Sequence, residues 1–363
     1  MKYDRIWNFN AGPAALPLEV LERVHEPWFN FMKGGMALME MSHRSKEFDG
    51  LHNATIARFK SLLGLGDNYH VLLLQGGASL QFAMLPMGFL PAGKTADYIN
   101  TGTWSTKAIK EAKLFGNVNV AFEGKDSEFK HIPTQNELKL TKDAEYVHVT
   151  SNNTIKGTEF FKFPEVGDVP LVVDMSSDIF AHEIDATKFA MIYGGAQKNL
   201  GPAGVTFVIL RDDFYQKART DLPAMLTYKT HVDKNSLYNT PNTFGIYVIG
   251  EVLKWVEEQG GAAGMEKINR AKADLLYGFM DDNADFYRGT VEKEARSIMN
   301  VCMRLPNEEI EAKFVAEGLK AGFIGLKGHR SVGGIRVSMY NAVPFQAIED
   351  VVAFMKKFMA NNA

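Results

Sequence analysis

The chain of 363 residues lacks most features that would place it in a specialised class of protein. Its single cysteine, Cys302, excludes an intramolecular disulfide framework and fits a reducing compartment. No apolar run approaches the ~18 residues of a membrane span, and the N-terminus lacks the apolar core of a signal peptide. A formal net charge of −3 gives no overall attraction to nucleic acid or anionic membranes. These absences predict a cytoplasmic protein whose anion sites, if any, are local clusters.

Motifs for metals and nucleotides are also scarce. The sequence has no H-E-x-x-H or paired C-x-x-C motif, so we expect no metal site, and without G-x-G-x-x-G the dinucleotide fingerprint is missing. Residues 88–95 match the P-loop pattern G-x-x-x-x-G-K-[ST], with Lys94 as its lysine. A P-loop needs a strand before it and a helix after it, whereas here SLQFAMLPM predicts a helix before and ADYIN a strand after. We interpret the match as chance; ATP binding with and without Lys94→Ala tests the alternative.

What is present is an alternation of short apolar runs with helical patterns over the first two-thirds of the chain. The runs are HVLLLQ (70–75), ADYIN (96–100), YVHVTSN (146–152), PLVVDMSSD (170–178), FAMIYGG (189–195) and VTFVILR (205–211). Continuous apolar strands between helices predict an α/β fold with a mostly parallel sheet covered on both faces.

A second arrangement follows a long predicted helix that begins near Asn242 and ends at Gly260-Gly261. The strand SIMNVCMRL, the helix EEIEAKFVAEGLKAG, the strand GGIRVSMY and the helix FQAIEDVVAFMKKFM predict a small α+β domain. We therefore expect an N-terminal segment at residues 1–16 that packs with the small domain, a large domain at 17–260 and the small C-terminal domain at 261–363.

Ligands of open α/β sheets bind at the carboxyl ends of the strands, so polar residues that follow the apolar runs are candidates. The stretch 75–81 contains Gly76-Gly77 and opens a helix, which suits phosphate; alternatively it is a tight turn with Ser79 as the helix N-cap. Asp174 follows LVV, where a carboxylate needs a cation or hydrogen bonds, and helix-capping or a structural ion pair is its simplest role.

Two further residues follow other strands. Lys198 lies after FAMIYGGAQ among small residues, where a desolvated amine could form a Schiff base with an aldehyde, although an exposed loop lysine is an equal alternative. Trp104 follows ADYIN and either packs in the core or offers a flat surface to an aromatic ligand. Together, a phosphate turn, an aromatic residue, an acid and a lysine match the requirements of pyridoxal phosphate.

Two basic clusters could bind substrate anions. They are Ser42-His43-Arg44-Ser45 and the stretch 329–336, which begins with His329-Arg330 and ends at Arg336. Arginine binds carboxylate and phosphate through a planar fork, whereas solvated loops are the alternative. Arg336 lies within the apolar alternation GGIRVSMY, where an unpaired guanidinium would be costly, so we expect a substrate carboxylate to be its partner.

These residues resemble the fold-type I pyridoxal phosphate enzymes and, within them, the phosphoserine aminotransferases. The resemblance runs nearly from end to end, through NFNAGPA (8–14), MSHRS (41–45), QGGAS (75–79), TGTWS (101–105), SNNT (151–154), DMSS (174–177), GAQKN (195–199), YNTP (238–241), GHR (328–330) and YN (340–341). Some members carry an arginine directly after the glycines of the phosphate turn, where this chain has Ala78-Ser79.

The resemblance implies a role for each matched residue, with pyridoxal 5'-phosphate as the cofactor. Lys198 would bond to the cofactor, Trp104 would stack on its ring, Asp174 would face the ring nitrogen and Thr154 would lie beside the ring. The cofactor phosphate would be held by Ala78, Ser79 and Gln197, and by Asn239 and Thr240 of the other subunit of a homodimer. Arg44 and Arg336 would bind substrate carboxylate, and His43, His329 and Arg330 would bind substrate phosphate.

By the same resemblance, the reaction would move an amino group between L-glutamate and 3-phosphohydroxypyruvate and give O-phospho-L-serine and 2-oxoglutarate in serine biosynthesis. Whether the phosphorylated threonine analogue of vitamin B6 synthesis is also used stays open, because the same cations would accept both. The alternatives on the same fold are a desulfurase, for which Cys302 in an apolar run is a poor nucleophile, and an aminotransferase for unphosphorylated substrates.

Overall fold

The computed structural model describes residues 2–362. Its strands are β1 (Trp7–Asn8), β2 (Tyr69–Leu74), β3 (Thr95–Asn100), β4 (Asn117–Glu123), β5 (Val147–Thr150), β6 (Asn152–Asn153), β7 (Thr158–Glu159), β8 (Leu171–Asp174), β9 (Met191–Gly195), β10 (Thr206–Arg211), β11 (Arg288–Gly289), β12 (Asn300–Arg304), β13 (Phe323–Ile324) and β14 (Ile335–Ser338). Every apolar run that the sequence analysis assigned to a strand therefore forms one.

The α-helices alternate with these strands. They are α1 (Leu18–His25), α2 (Lys46–Leu62), α3 (Gly77–Phe89), α4 (Thr103–Ala112), α5 (Asp212–Tyr215), α6 (Tyr228–Asp233), α7 (Thr243–Glu258), α8 (Gly261–Asp282), α9 (Glu308–Lys320) and α10 (Phe345–Ala360). The Asn242 side chain accepts a hydrogen bond from the Gly245 N–H, which caps α7 where the sequence predicted its start.

A seven-stranded sheet in the order β2-β10-β9-β8-β5-β3-β4 forms the centre of the fold. The five strands from β9 to β4 run parallel, and β10 is antiparallel to both of its neighbours. The prediction of an α/β fold with a mostly parallel sheet is confirmed. Because β10 is antiparallel to β2 and to β9, β2 points the same way as the parallel strands.

Both faces of this sheet are buried, as continuous apolar strands require. Alternate residues of one strand enter separate cores: Leu72 packs with α3 and α4, and its neighbour Leu73 packs with α2 and α7. The same division separates Val172 from Val173. The helices thus cover the faces and leave the carboxyl ends of the strands free to build a site.

The last hundred residues form a further core around the antiparallel sheet β11-β12-β14, with α8 and α10 packed on it. The N-terminal strand β1 pairs in parallel with β13, and Phe9 is buried in this same core. The two long helices α7 and α8 follow each other almost directly, joined at Gly260, whose φ of 91° is left-handed. The predicted limits of the domains stay a prediction.

Candidate active site

The predicted site residues follow strands whose carboxyl ends lie at one edge of the central sheet. Trp104 is in the first turn of α4 after β3, Thr154 follows β5 and β6, Asp174 ends β8, and Lys198 lies in the turn after β9. The glycine turn at 75–77 follows β2, which points the same way. The sheet therefore gathers at one edge residues that are far apart in the sequence.

Lys198 is half-buried and faces the indole of Trp104, with Nζ 5.0 Å from the centroid of the ring. Burial lowers the pKa of Lys198, the negative charges of Asp174 and Asp178 oppose that effect, and the positive charge of Arg336 adds to it. Gly12 packs against the lysine stem, since a Cβ there would come within 3.1 Å of Lys198 Cγ. Among the described residues, Nζ has no hydrogen-bond or ion-pair partner. The lysine is therefore held in place as a free amine with a weakened preference for its proton.

Asp174 is 5% exposed, and only one of its oxygens is used within the chain. Oδ1 accepts hydrogen bonds from the N–H of Ser176 (2.9 Å) and from its hydroxyl (2.6 Å), and Ser176 Oγ accepts from the Gly195 N–H at 3.1 Å. Burial raises the pKa of Asp174, whereas Lys198 and the bonds from Ser176 lower it. Within residues 2–362, Oδ2 has no hydrogen-bond donor. This oxygen can therefore accept a hydrogen bond from a protonated nitrogen of a ligand.

Trp104, Thr154 and Arg336 form a chain of contacts across the site. Trp104 Nε1 donates to Thr154 Oγ1 at 3.1 Å, and Arg336 Nη1 donates to the Thr154 carbonyl at 2.8 Å. No carboxylate of the described chain pairs with Arg336, and its Nε is buried without a partner. The guanidinium therefore has two donor atoms, Nε and Nη2, that no acceptor of the described residues uses.

The turn between β2 and α3 differs from one of its predicted forms. The helix N-cap is Gly76, with φ 93°, and Ser79 lies inside the first turn, so the interpretation of Ser79 as the N-cap is wrong. Only glycine suits position 76, because a Cβ there would collide with Leu80. The N–H groups of Ala78 and Ser79 belong to the first turn of a helix, which has no internal partners for them.

Two other predicted phosphate ligands lie near this turn. Gln197 is half-buried and its amide lies against Gly195, at the end of β9. Asn239 donates to the Gln75 side chain at 3.2 Å within the same chain, and its neighbour Thr240 is exposed. Asn239 therefore contacts Gln75, beside the turn that starts α3, within its own chain.

The basic stretch at 329–336 lies close to the Trp104 side of the site. The pKa of His329 is lowered by burial and by the positive charges of Arg336, Arg330 and Lys107. Lys107 Nζ lies 4.5 Å from the centroid of the Trp104 ring. Arg330 is exposed. Lys107 thus belongs to the same cationic group, although the sequence analysis missed it; its position one helical turn after Trp104 was the available signal.

The other basic cluster is not joined to this group. Arg44 is exposed, and His43 is half-buried with an Nε2 that is buried and has no partner. Across the part of the chain that the structure describes, no hydrogen bond, ion pair or ring contact links either residue to Lys198, Asp174 or Trp104.

The rival chemistries receive no support from the structure. Lys94 lies between α3 and β3, at the amino end of a strand, and its Nζ is 3.6 Å from Glu145 Oε1; the predicted order of helix, loop and strand excludes a P-loop. Cys302 is buried in β12, and burial raises the pKa of its thiol to about 12. It is therefore an unreactive core residue.

No helix of the described residues is long and apolar enough to cross a membrane.

Residues 6–351 match the family model described as aminotransferase class-V. The phosphoserine aminotransferase of Desulfosudis oleivorans is 56% identical to this chain over 99% of both sequences.

Two solved structures extend this similarity to the fold. Phosphoserine aminotransferase from Bacillus circulans subsp. alkalophilus superposes with a TM-score of 0.97 at 51% identity, over 99% of this chain and 100% of the other. The pyridoxal-phosphate-bound phosphoserine aminotransferase of Trichomonas vaginalis has a TM-score of 0.91 at 38% identity, over 97% of this chain and 100% of the other. The chain therefore belongs to the class-V aminotransferases and, within them, to the phosphoserine aminotransferase family.

Proposed function

We propose that this chain transfers the amino group of L-glutamate to 3-phosphohydroxypyruvate, giving O-phospho-L-serine and 2-oxoglutarate. The observation that carries the proposal is a group of cations, Arg336, Arg330 and Lys107, that lies with His329 near the Trp104 side of the Lys198 site and has no acidic partner among the described residues. One carboxylate and one phosphate of the substrate would supply the negative charge that this group lacks.

The residues around Lys198 fit pyridoxal phosphate, the cofactor of this family. The unused Oδ2 of Asp174 would face its ring nitrogen, and the free N–H groups of Ala78 and Ser79 would bind its phosphate. The half-buried indole of Trp104 would stack on its ring. When bound, the cofactor supplies an electron sink that stabilises negative charge at the substrate Cα.

The chain's own residues provide positioning and proton transfer. Asp174, held by Ser176, would stabilise a positive charge on the ring nitrogen, and Thr154 fixes the indole of Trp104 through its hydroxyl. Lys198 serves as the base and acid at the substrate Cα, for which a lowered pKa is an advantage at neutral pH. Arg336 orients the substrate carboxylate so that the Cα proton faces that amine.

We further propose that the active form is a homodimer with sites at the subunit interface. Arg44 and Thr240 are exposed, and His43 does not contact Lys198 of its own chain. We therefore expect these residues to contribute to the active site of a second copy. The exposed side chains of Phe29, Met32 and Met39, which precede His43 and Arg44 in the sequence, support an apolar contact. We also propose the domain limits 17–260 and 261–363. A cytoplasmic location is proposed as well, which the single buried thiol supports.

Arg330→Ala tests the assignment of the substrate. Loss of a charge-assisted bond worth ~1.5–3 kcal/mol should lower kcat/KM about 10- to 100-fold for O-phosphoserine and leave glutamate nearly unchanged. Lys327→Ala, an exposed lysine in the same loop, is the matched control and should affect neither substrate. Equal losses for the two substrates in Arg330→Ala would contradict phosphate recognition by this cluster.

A further inference from the structure

Three side chains of metal-ligand type, none of which was given a role above, meet in the interior beside the Lys198 site. Glu159 ends β7, and Asp178 and His182 lie in the loop after β8. One ligand atom from each lies within 4.8 Å of the other two. The residues are 1%, 4% and 5% exposed, respectively. Two carboxylates and an imidazole are thus enclosed together, which is costly unless they share a cation or protons.

Each of the three side chains is already oriented by a second partner. His182 Nδ1 donates to the Glu183 carbonyl at 3.1 Å, Glu159 Oε2 accepts from the Ile298 N–H at 2.7 Å, and Asp178 Oδ1 accepts from the Ser151 hydroxyl at 2.6 Å. This is the arrangement that metal-binding histidines and carboxylates have around known sites.

The remaining nitrogen of His182 lies beside a carboxylate oxygen of Glu159. Because a carbonyl can only accept, Nδ1 of His182 carries the proton and Nε2 presents a lone pair. Nε2 is 3.5 Å from Glu159 Oε1, which is buried and has no hydrogen-bond partner. Ligands of a tetrahedral zinc ion with bonds of ~2.0–2.2 Å are about 3.4 Å apart, so this pair already has the required separation.

The local charge also favours a cation. The two carboxylates bring negative charge to the cluster, and His182, with its proton on Nδ1, presents a neutral Nε2 to a metal. Arg270, the nearby cation, is paired with Glu266 at 2.6 Å and lies over the ring of Phe161.

A cavity with an acidic lining borders the cluster at Glu159. It has a volume of about 910 Å³ and includes Glu159 in its wall. The acidic residues that line it outnumber the basic ones; they are Glu159, Glu165, Glu183, Asp185 and Glu294, against Lys162 and Lys188. Such a lining attracts cations from solvent.

We propose that Glu159, Asp178 and His182 bind one divalent transition-metal ion, for which Zn²⁺ is the best fit to one nitrogen and two carboxylate ligands, with water in the fourth position. The ion is structural, because it links β7 to the loop after β8. Glu159 also bonds to the N–H of Ile298, so the ion stabilises the contact of β7 with the core around β11-β12-β14. A search for metal motifs in the sequence cannot find this site, because Glu159 is 19 residues before Asp178 and comes close to it only in the folded chain. The proposal does not depend on the substrate.

The test is equilibrium dialysis of the chelator-treated holoenzyme against Zn²⁺, followed by metal analysis and thermal unfolding. Wild type should retain one more ion per chain than Glu159→Gln or His182→Gln, with binding at least ~10-fold weaker in the variants, and Zn²⁺ should raise Tm only in wild type. Glu159→Gln is nearly isosteric and keeps the measurement interpretable if His182→Gln folds poorly. His131→Gln, from the exposed pair of His131 with Glu137, is the control and should bind as wild type does.

Two results would overturn the proposal. One is an equal zinc content in wild type, Glu159→Gln and His182→Gln. The other is a metal-free Glu159→Gln variant with a higher Tm than wild type and no response of either protein to Zn²⁺, which would show that the three groups share protons instead.

Discussion

Replacement of Arg336 by methionine should remove recognition of the substrate carboxylate while leaving the fold almost as stable as before. Arg336 uses Nη1 on the Thr154 carbonyl; its Nε and Nη2 have no acceptor among the described residues, and we expect them to form two parallel bonds to the substrate carboxylate. Two charge-assisted hydrogen bonds at ~1.5–3 kcal/mol each amount to ~3–6 kcal/mol. At 1.36 kcal/mol per tenfold, kcat/KM should fall by about 10²- to 10⁴-fold.

The loss should be the same for glutamate and O-phosphoserine, because both carry the α-carboxylate. Arg336→Lys keeps the charge but not the fork, so we expect a smaller loss of about 10- to 100-fold. In the free energy of unfolding two effects oppose each other. The variant leaves the Thr154 carbonyl without its donor, a cost of ~1–3 kcal/mol, but it also removes a buried unpaired Nε–H of similar cost.

The assay is steady-state kinetics of each variant with both amino donors, together with urea unfolding. A methionine variant with an unchanged kcat/KM for glutamate, or one that loses only the reaction with O-phosphoserine, would refute the assignment of Arg336. A large loss of unfolding free energy would show instead that Arg336 is structural.

Further predictions concern the lysine, the ring and the sheet. Lys198 reacts as the neutral amine, so capture of pyridoxal phosphate by the apoenzyme should rise with pH through a midpoint below that of an ordinary lysine. In Asp174→Asn this midpoint should fall further, because the charge of Asp174 raises the pKa of Lys198. Stopped-flow absorbance measures the midpoint, and a higher midpoint in Asp174→Asn would contradict the prediction. Trp104→Phe keeps a ring but loses the bond to Thr154, so equilibrium dialysis should show tighter cofactor binding in it than in Trp104→Ala. Gly194→Ala would place a Cβ 2.7 Å from the Ser176 Cα and should cost ~1–3 kcal/mol or more in urea unfolding, whereas Gly278→Ala, in open space on α8, should gain ~0.5–1 kcal/mol.

In the central sheet the sequence predicted the six strands that are mostly apolar and missed the seventh. β4 is an edge strand, NVNVAFE, whose asparagines and partial exposure hide its pattern. The direction of β10 also needed the structure, because a buried strand has the same composition in either orientation. Long helices with clear ends, such as α7, were placed almost to the residue.

For the site, residues directly after strands were predictable, since the ends of parallel strands meet at one edge. Lys198, Asp174 and Trp104 are of this kind. Contacts made only in three dimensions were not predictable: the Ser176 bridge between Asp174 and β9, the position of Lys107 over the Trp104 ring, and the buried group around Glu159. The Ser79 N-cap was wrong because the glycine before α3 takes the left-handed conformation itself.

The central claim is that Lys198 holds pyridoxal phosphate in a site that prefers a phosphorylated amino acid. The most direct measurement is the near-visible absorbance of the purified protein before and after addition of O-phosphoserine, with serine as the comparison. We predict a yellow protein whose band of lysine-bound cofactor fades with O-phosphoserine and much less with serine. A protein that stays colourless after pyridoxal phosphate is supplied, or that responds equally to both amino acids, would contradict the account.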